Sequence, residues 1–241
     1  MKDALGDRMK NFYENRFKQF LPRRQYTVIR IDGKAFHTFT RGMNRPFDSN
    51  LIECMNQTAI YLCSKIQGAK LAYVQSDEIS ILLTDFDTLK TDAWFDYNLQ
   101  KMCSVSASMA TVAFNTAYKR LFNGDKSAEF DSRVMQLPTR METLNVFRWR
   151  QQDAVRNSVQ SVAQSLYSQK ELHGKGNNEL QELIFQKGIN WNNYSSWEKR
   201  GRVIVKETYM KGDAERSRWI CLPETPDFMS DEAIELIPER T

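Results

Sequence analysis

The period of the apolar positions changes along the chain, and those changes predict an order of elements. Residues 26–32 are β-branched and apolar, with Thr27, Ile29 and Ile31 on one side of a strand and Val28, Arg30 and Asp32 on the other. Gly33 breaks the strand. A loop holding Gly42, Asn44 and Pro46 follows. Asp48 or Ser49 is then a natural N-cap for a helix in which Leu51, Ile52, Met55, Ala59, Leu62, Cys63 and Ile66 recur at helical spacing, closed by Gly68. Two strands, 69–74 and 79–84, flank Gln75-Ser76-Asp77-Glu78, which reads as a hairpin with its acids at the tip. The next helix, from about Asp92 to Phe122, carries Ser104, Ser106, Ala107, Ser108, Ala110 and Ala113, small enough to pack closely on a sheet. Phe130 to Leu137 is a further strand, stopped by Pro138.

From Tyr26 onward this order is β-α-β-β-α-β, which predicts an α+β fold with a ferredoxin-like, polymerase-palm core. Residues 1–20 suit a short N-terminal helix ended by Pro22. Thr139 and Glu142 fit a capping box that starts a helix reaching about Lys170. Beyond it the pattern gives a short helix over 179–187 and one strand over 201–209. The last thirty or so residues are ambiguous. The expected division is a palm core with its N-terminal helix over 1–138 and a helical accessory region over 139–241, packed together as a single unit.

Composition adds limited constraints. The 241 residues hold 34 Lys and Arg against 30 Asp and Glu, an excess of +4, and the pI of about 8.8 permits a nucleic-acid partner without demanding one. Cys54, Cys63, Cys103 and Cys221 show neither the CxxC spacing of a zinc site nor a disulfide framework, which suits a reduced, cytoplasmic protein. Acids near the N-terminus argue against a signal peptide, and no run approaches a membrane span, so no membrane partner is expected.

Candidate chemistry lies in the acids. Asp32 ends the first strand, and Asp77 and Glu78 sit in the hairpin that should pair beside it, so the fold brings three carboxylates together from distant sequence. Taken separately, Asp32-Gly33 is an ordinary turn and Asp77-Glu78 an ordinary charged tip. Together in palm order they suit magnesium and in-line phosphoryl transfer, with palm-type cyclases also in play. Residues 34–37 follow with backbone amides suited to a triphosphate, and Lys34, Arg41 and Arg45 add charge. The bland alternative makes Phe36 and Phe39 core residues and His37 a surface histidine. Arg150, Asp153 and Asn157 share one helical face, either for a nucleotide or RNA phosphates or as a salt-bridged solvent face.

Residues 31–37 followed by 75–80 resemble the signature pair of the tRNA-His guanylyltransferase family, which includes bacterial and archaeal Thg1-like proteins. The similarity continues through Trp94-Phe95, Lys101, Ser108, Phe114-Asn115, residues 130–134, and Trp149-Arg150-Gln151 with Asp153 and Asn157. It thus spans 26 to about 160, and Lys199-Arg200-Gly201 resembles a later element. The resemblance implies a nucleotidyltransferase that extends RNA 3′-to-5′, opposite to ordinary polymerases, after activating a tRNA 5′ end with ATP or GTP. It implies two magnesium ions held by Asp32, the Gly33 carbonyl and Asp77, with Glu78 needed for chemistry. Lys34, Ala35, Phe36, His37, Arg45, Ser76, Lys101 and Asn157 are the implied nucleotide contacts, and Arg133, Arg150 and Arg156 the candidate RNA contacts. A homotetramer, a dimer of dimers engaging the tRNA 5′ end and acceptor stem, is also implied.

Three departures from the eukaryotic pattern stand out: two of them, at Arg45 and Asn98, look like the Thg1-like branch, which adds nucleotides templated by Watson-Crick pairing to tRNAs lacking 5′ residues, and the third argues against strict tRNA-His specificity. Val155-Arg156-Asn157-Ser158 stands where eukaryotic members carry His-Ile-Asn-Asn, Arg45 replaces a lysine, and Asn98 replaces an arginine. The alternatives are a tRNA-His guanylyltransferase proper, a palm-type nucleotidyl cyclase and a non-catalytic tRNA-binding protein.

Overall fold

A computed structural model describes residues 3–240; Met1, Lys2 and Thr241, the ends of the two expected regions, lie outside the described residues. The chain begins with α1 (Ala4–Phe12) and a 3₁₀ turn (Glu14–Phe17). The core follows as β1 (Tyr26–Gly33), α2 (Phe36–Phe39), α3 (Ser49–Lys65), β2 (Ala69–Gln75), β3 (Glu78–Leu83), α4 (Leu99–Phe122) and β4 (Phe130–Leu137). Next come α5 (Arg140–Leu166), α6 (Gln169–Leu172), α7 (Asn177–Gln186), α8 (Ser196–Arg200), β5 (Arg202–Lys211) and β6 (Ala214–Cys221).

The strands form one antiparallel sheet in the order β4-β1-β3-β2-β5-β6. The first four give the ferredoxin-like order expected from β-α-β-β-α-β. Two strands extend it where the pattern indicated one. Both come from the C-terminal region, so the sheet continues across the expected boundary near Pro138. Among the described residues no helix is long and apolar enough to cross a membrane.

Both faces of the sheet are covered, which explains why β1 is apolar on either side. Ile29 and Ile31 pack with Met55, Leu62 and Phe114 of α3 and α4. Tyr26 and Val28 face the other cluster, with Leu144 and Phe147 of α5 and Phe228. Ser106 lets α4 approach β4 closely, its Oγ 2.7 Å from Ser132 Oγ. Ser104 and Ser108, expected to share that role, are exposed.

Two expected helix boundaries move. Helix α4 starts at Leu99 rather than Asp92, because Phe95, Asp96 and Tyr97 have positive φ and Asn98 caps the helix by accepting from the Lys101 amide at 3.1 Å. Helix α5 starts as expected, with Thr139 accepting from the Glu142 amide at 3.1 Å, but Glu142 accepts from the Asn145 side chain at 3.0 Å. It ends at Leu166, and residues 169–172 form the separate helix α6.

Candidate active site

The carboxylates meet because of strand register. Asp32, near the end of β1, lies opposite Glu78 on β3 and opposite Asp131 on β4. Asp77 occupies the β2–β3 turn, and the Gly33 amide donates to its carbonyl at 3.2 Å. Gly33 has no room for a side chain, since a Cβ would lie 2.1 Å from a Phe36 ring carbon.

Such a row of acids must be compensated. Arg133 contacts Asp131 at 3.3 Å and Asp32 at 3.8 Å. Arg150 grips Glu78 through both oxygens, Nε to Oε1 and a terminal nitrogen to Oε2, each at 2.7 Å. It also reaches Asp153 at 2.8 Å. Burial opposes the charge on Arg150, yet hydrogen bonds to Glu78 and Asp153 hold its pKa above the ordinary value. Asp77 meets no cation among the described residues. Burial pushes its carboxyl up to about 6; the Ser76 hydroxyl and a backbone amide pull it down, while the charges of Asp32 and Glu78 push it further up.

Two readings are therefore corrected. Glu78 is not a solvated tip acid but a buried residue locked to Arg150. Arg150 is not on an RNA-facing surface: the side chain is buried and its charge is used inside the protein. Asp153 is shared by Arg150 and Arg156, the latter half-exposed and 2.8 Å from it.

Beside Asp77 opens a cavity of about 500 Å³ walled by α2, the loop after it, the start of α3, the face of α5 and the α8–β5 junction. Phe36, His37, Arg45, Ser76, Asp77 and Asn157 border it, so the topology gathers much of the expected nucleotide set. Ala35 takes a left-handed conformation, φ 54°, at the N-cap of α2. This leaves the Phe36 and His37 amides, the first two of the helix, without intrahelical acceptors. The Phe36 ring is buried among Phe39, Phe114 and Phe130, so its side chain serves the core.

Lys34 and Lys101 stand elsewhere. Lys34 pairs with Glu129 at 2.6 Å beside a different concavity, and Lys101 lies over the Phe95 ring at 5.8 Å. The sequence reading missed Asp48 as part of the wall: its carboxylate accepts from the amides of Asn44, Asn50 and Leu51. It also missed Arg202, a buried charge at a strand position, which was the signal available.

The donors suit magnesium: two carboxylates, Asp32 and Asp77, with the carbonyl of Gly33. Magnesium is commonly held by one or two carboxylates, keeping further positions for water and substrate phosphate. Among the described residues no group of three or more His, Cys, Asp and Glu side chains assembles as a ligand set.

A ferredoxin-like sheet carrying paired acids at a strand end and hairpin turn, next to a cavity of about 500 Å³, is a palm-type arrangement. Residues 6–138 match the sequence profile of the family described as tRNAHis guanylyltransferase, and the chain belongs to that family; it is a nucleotidyltransferase. It is similar over 98% of its length to 99% of a bacterial tRNA(His) guanylyltransferase (Thg1)-like protein solved in complex with ATP, at 45% identity and a TM-score of 0.90. The tRNA(His) guanylyltransferase of Saccharomyces cerevisiae shares 28% identity with a TM-score of 0.68, over 80% of this chain and 91% of that one. A probable tRNA(His) guanylyltransferase of Drosophila melanogaster is 28% identical over 86% of this chain and 75% of its own length.

Proposed function

We propose that this protein adds nucleotides to the 5′ end of tRNA in the 3′-to-5′ direction, each chosen by pairing with the opposite strand, after activating that end with ATP or GTP. One observation carries the reading: Asp32 and Asp77 come together at the end of β1 and the β2–β3 turn, linked through the Gly33 amide, beside a cavity large enough for a nucleotide. Two magnesium ions held by Asp32, the Gly33 carbonyl and Asp77 would activate an attacking hydroxyl and stabilise a leaving phosphate.

The chain's own groups supply binding and orientation. The Phe36 and His37 amides turn toward phosphate oxygens, and Arg45, Ser76 and Asn157 offer further polar contacts from the cavity wall. Arg150 fixes the Glu78 carboxylate through two contacts of 2.7 Å. Arg133 and Arg156 remain exposed enough to meet RNA phosphates. Repair of 5′-truncated tRNA, rather than action on tRNA-His alone, is favoured by Val155-Arg156-Asn157-Ser158 and by the greater identity to the bacterial Thg1-like protein, 45%, than to the yeast enzyme, 28%.

A homotetramer in the cytoplasm completes the reading. The exposed Leu5, Phe12, Tyr13 and Phe17 offer apolar surface for assembly, and all four cysteines are unpaired. Light scattering decides the first point.

The test is magnesium-dependent incorporation of labelled nucleotides onto 5′-monophosphorylated tRNAs, one a full-length tRNA-His and one a different tRNA lacking its first nucleotide. Templated addition to the truncated tRNA is expected. Preference for tRNA-His whatever base stands opposite would make the protein a guanylyltransferase proper. Cyclic products from nucleotide alone would make it a cyclase. Asp32→Ala and Asp77→Ala should each abolish incorporation while tRNA binding in a gel-shift assay persists; wild-type turnover in either would refute the assigned site.

A further inference from the structure

Arg30 and Trp149 lie outside the cavity, and packing alone does not account for either. Arg30 is on the face of β1 that carries Val28 and Asp32, by the strand's period of two. Register sets it beside Arg133 on β4 and Ser80 on β3. Like charges directly opposite on neighbouring strands repel. Arg133 is relieved by Asp131 and Asp32. Among the described residues no acid pairs with Arg30, and its Nε is buried with no hydrogen-bond partner. What Arg30 does meet is the ring of Trp149, its guanidinium carbon 5.6 Å from the centroid.

Trp149 precedes Arg150 on α5, and the Arg150 guanidinium carbon is 4.6 Å from the same centroid. Two guanidiniums thus hold the indole in place, yet Trp149 remains 47% exposed. Together with the exposed Arg133 it makes a ledge that is both cationic and aromatic. A nucleotide unit of RNA is complementary to such a surface, since phosphate meets guanidinium and the base stacks on the ring.

The sheet order gives the ledge its place. It lies over β4 and β1, whereas the cavity is bordered by residues at the ends of β2 and β5. Asp32 and Asp77 stand between them, at the end of β1 and in the β2–β3 turn. Helix α5 serves both sides, with Trp149 at the ledge and Ala154, Asn157 and Ser158 at the cavity. A nucleotide in the cavity and an RNA end on the ledge would reach the acids from opposite sides, as a reaction that joins the two requires.

We propose that Trp149, Arg30 and Arg133 bind the 5′-terminal nucleotide of the RNA substrate, its base stacked on the Trp149 ring and its phosphates met by the two arginines. The inference rests on the proposed action at tRNA 5′ ends.

The experiment is equilibrium binding of two 5′-monophosphorylated acceptor-stem hairpins to the full chain, with calcium replacing magnesium. Both lack the first nucleotide, and in one the new 5′-terminal nucleotide is abasic. For the wild type, the abasic hairpin should bind roughly five- to a hundredfold more weakly. Trp149→Ala should weaken the intact hairpin by a similar factor and leave the abasic one unchanged, and Trp149→Phe should restore most of the loss. Arg30→Gln should weaken both hairpins and lower the slope of log affinity against log salt by about one. ATP affinity should stay at the wild-type value in all three variants. Equal wild-type binding of the two hairpins overturns the proposal without any variant, and that comparison decides alone should Trp149→Ala fail to fold. The proposal is also overturned by a Trp149→Ala protein that weakens both hairpins equally or loses ATP as well, since Trp149 would then be a support for Arg150 rather than an RNA contact. A wild type that binds ATP but neither hairpin removes the action on tRNA ends itself, whereas hairpin binding indifferent to Trp149 and Arg30 leaves that action standing and removes only this inference.

Discussion

Arg150→Met tests whether the acid site depends on an internal counter-charge. The Arg150 and Glu78 side chains are 9% and 6% exposed and meet through two bonds of 2.7 Å, so solvent screening gives little relief. Removing the arginine leaves Glu78 with only the Ser80 hydroxyl at 3.3 Å. Stranding a buried charge in this way costs about 3–5 kcal/mol, which for a chain of this size lowers the melting temperature by roughly 10 °C. Glu78→Gln should be milder, about 1–3 kcal/mol, because Arg150 keeps Asp153 at 2.8 Å.

The double variant removes both charges and should lose less than the sum of the singles, with a coupling of at least about 1 kcal/mol by chemical denaturation. A second readout ties the pair to function. With Arg150 gone, Glu78 is no longer held in place next to the Asp77 turn, so incorporation should fall in Arg150→Met. A melting temperature within about two degrees of wild type, additive singles and wild-type incorporation would together refute the reasoning.

Two further outcomes follow from the same geometry. The Asp77 pKa is about 6 in the folded, metal-free protein against an ordinary 3.8, so the folded state holds that proton more tightly; its stabilisation is complete below pH about 4 and is lost as pH rises through 6, a fall of about 3 kcal/mol. Magnesium, which takes the proton's place, should therefore raise the melting temperature more at pH 7.5 than at pH 5, and an equal gain at both would contradict the assignment. Gly33→Ala should cost about 1–3 kcal/mol or more, because the new methyl lies 2.1 Å from the Phe36 ring, and should reduce incorporation by shifting the phosphate-facing amides; denaturation and the tRNA assay check the two effects.

Much of the core was legible because its strands and helices carry distinct periods. The split of β1 between Ile29 and Ile31 on one face and Val28 on the other appears as two separate clusters. The start of α4 was not legible, since nothing in the composition of residues 92–97 announces three consecutive left-handed residues. Strand β6 was missed because it is amphipathic only weakly: most of its residues are exposed beside β5. The Arg150–Glu78 pair was hidden for another reason. Helical spacing placed Arg150 with Asp153 and Asn157, and only the tertiary approach of α5 to the sheet reveals that its charge points inward.

The distribution of charge separates what the fold needs from what it leaves for a ligand. Glu78 has Arg150, Asp131 has Arg133, and Asp32 shares that arginine at longer range. Asp77 among the acids and Arg202 among the buried cations have no ion-pair partner among the described residues, and both border one cavity. Folding alone would favour apolar groups at both positions. A metal-bearing nucleotide seated in this cavity would bring a cation to Asp77, and its binding would stabilise the protein by relieving the cost of that buried carboxylate.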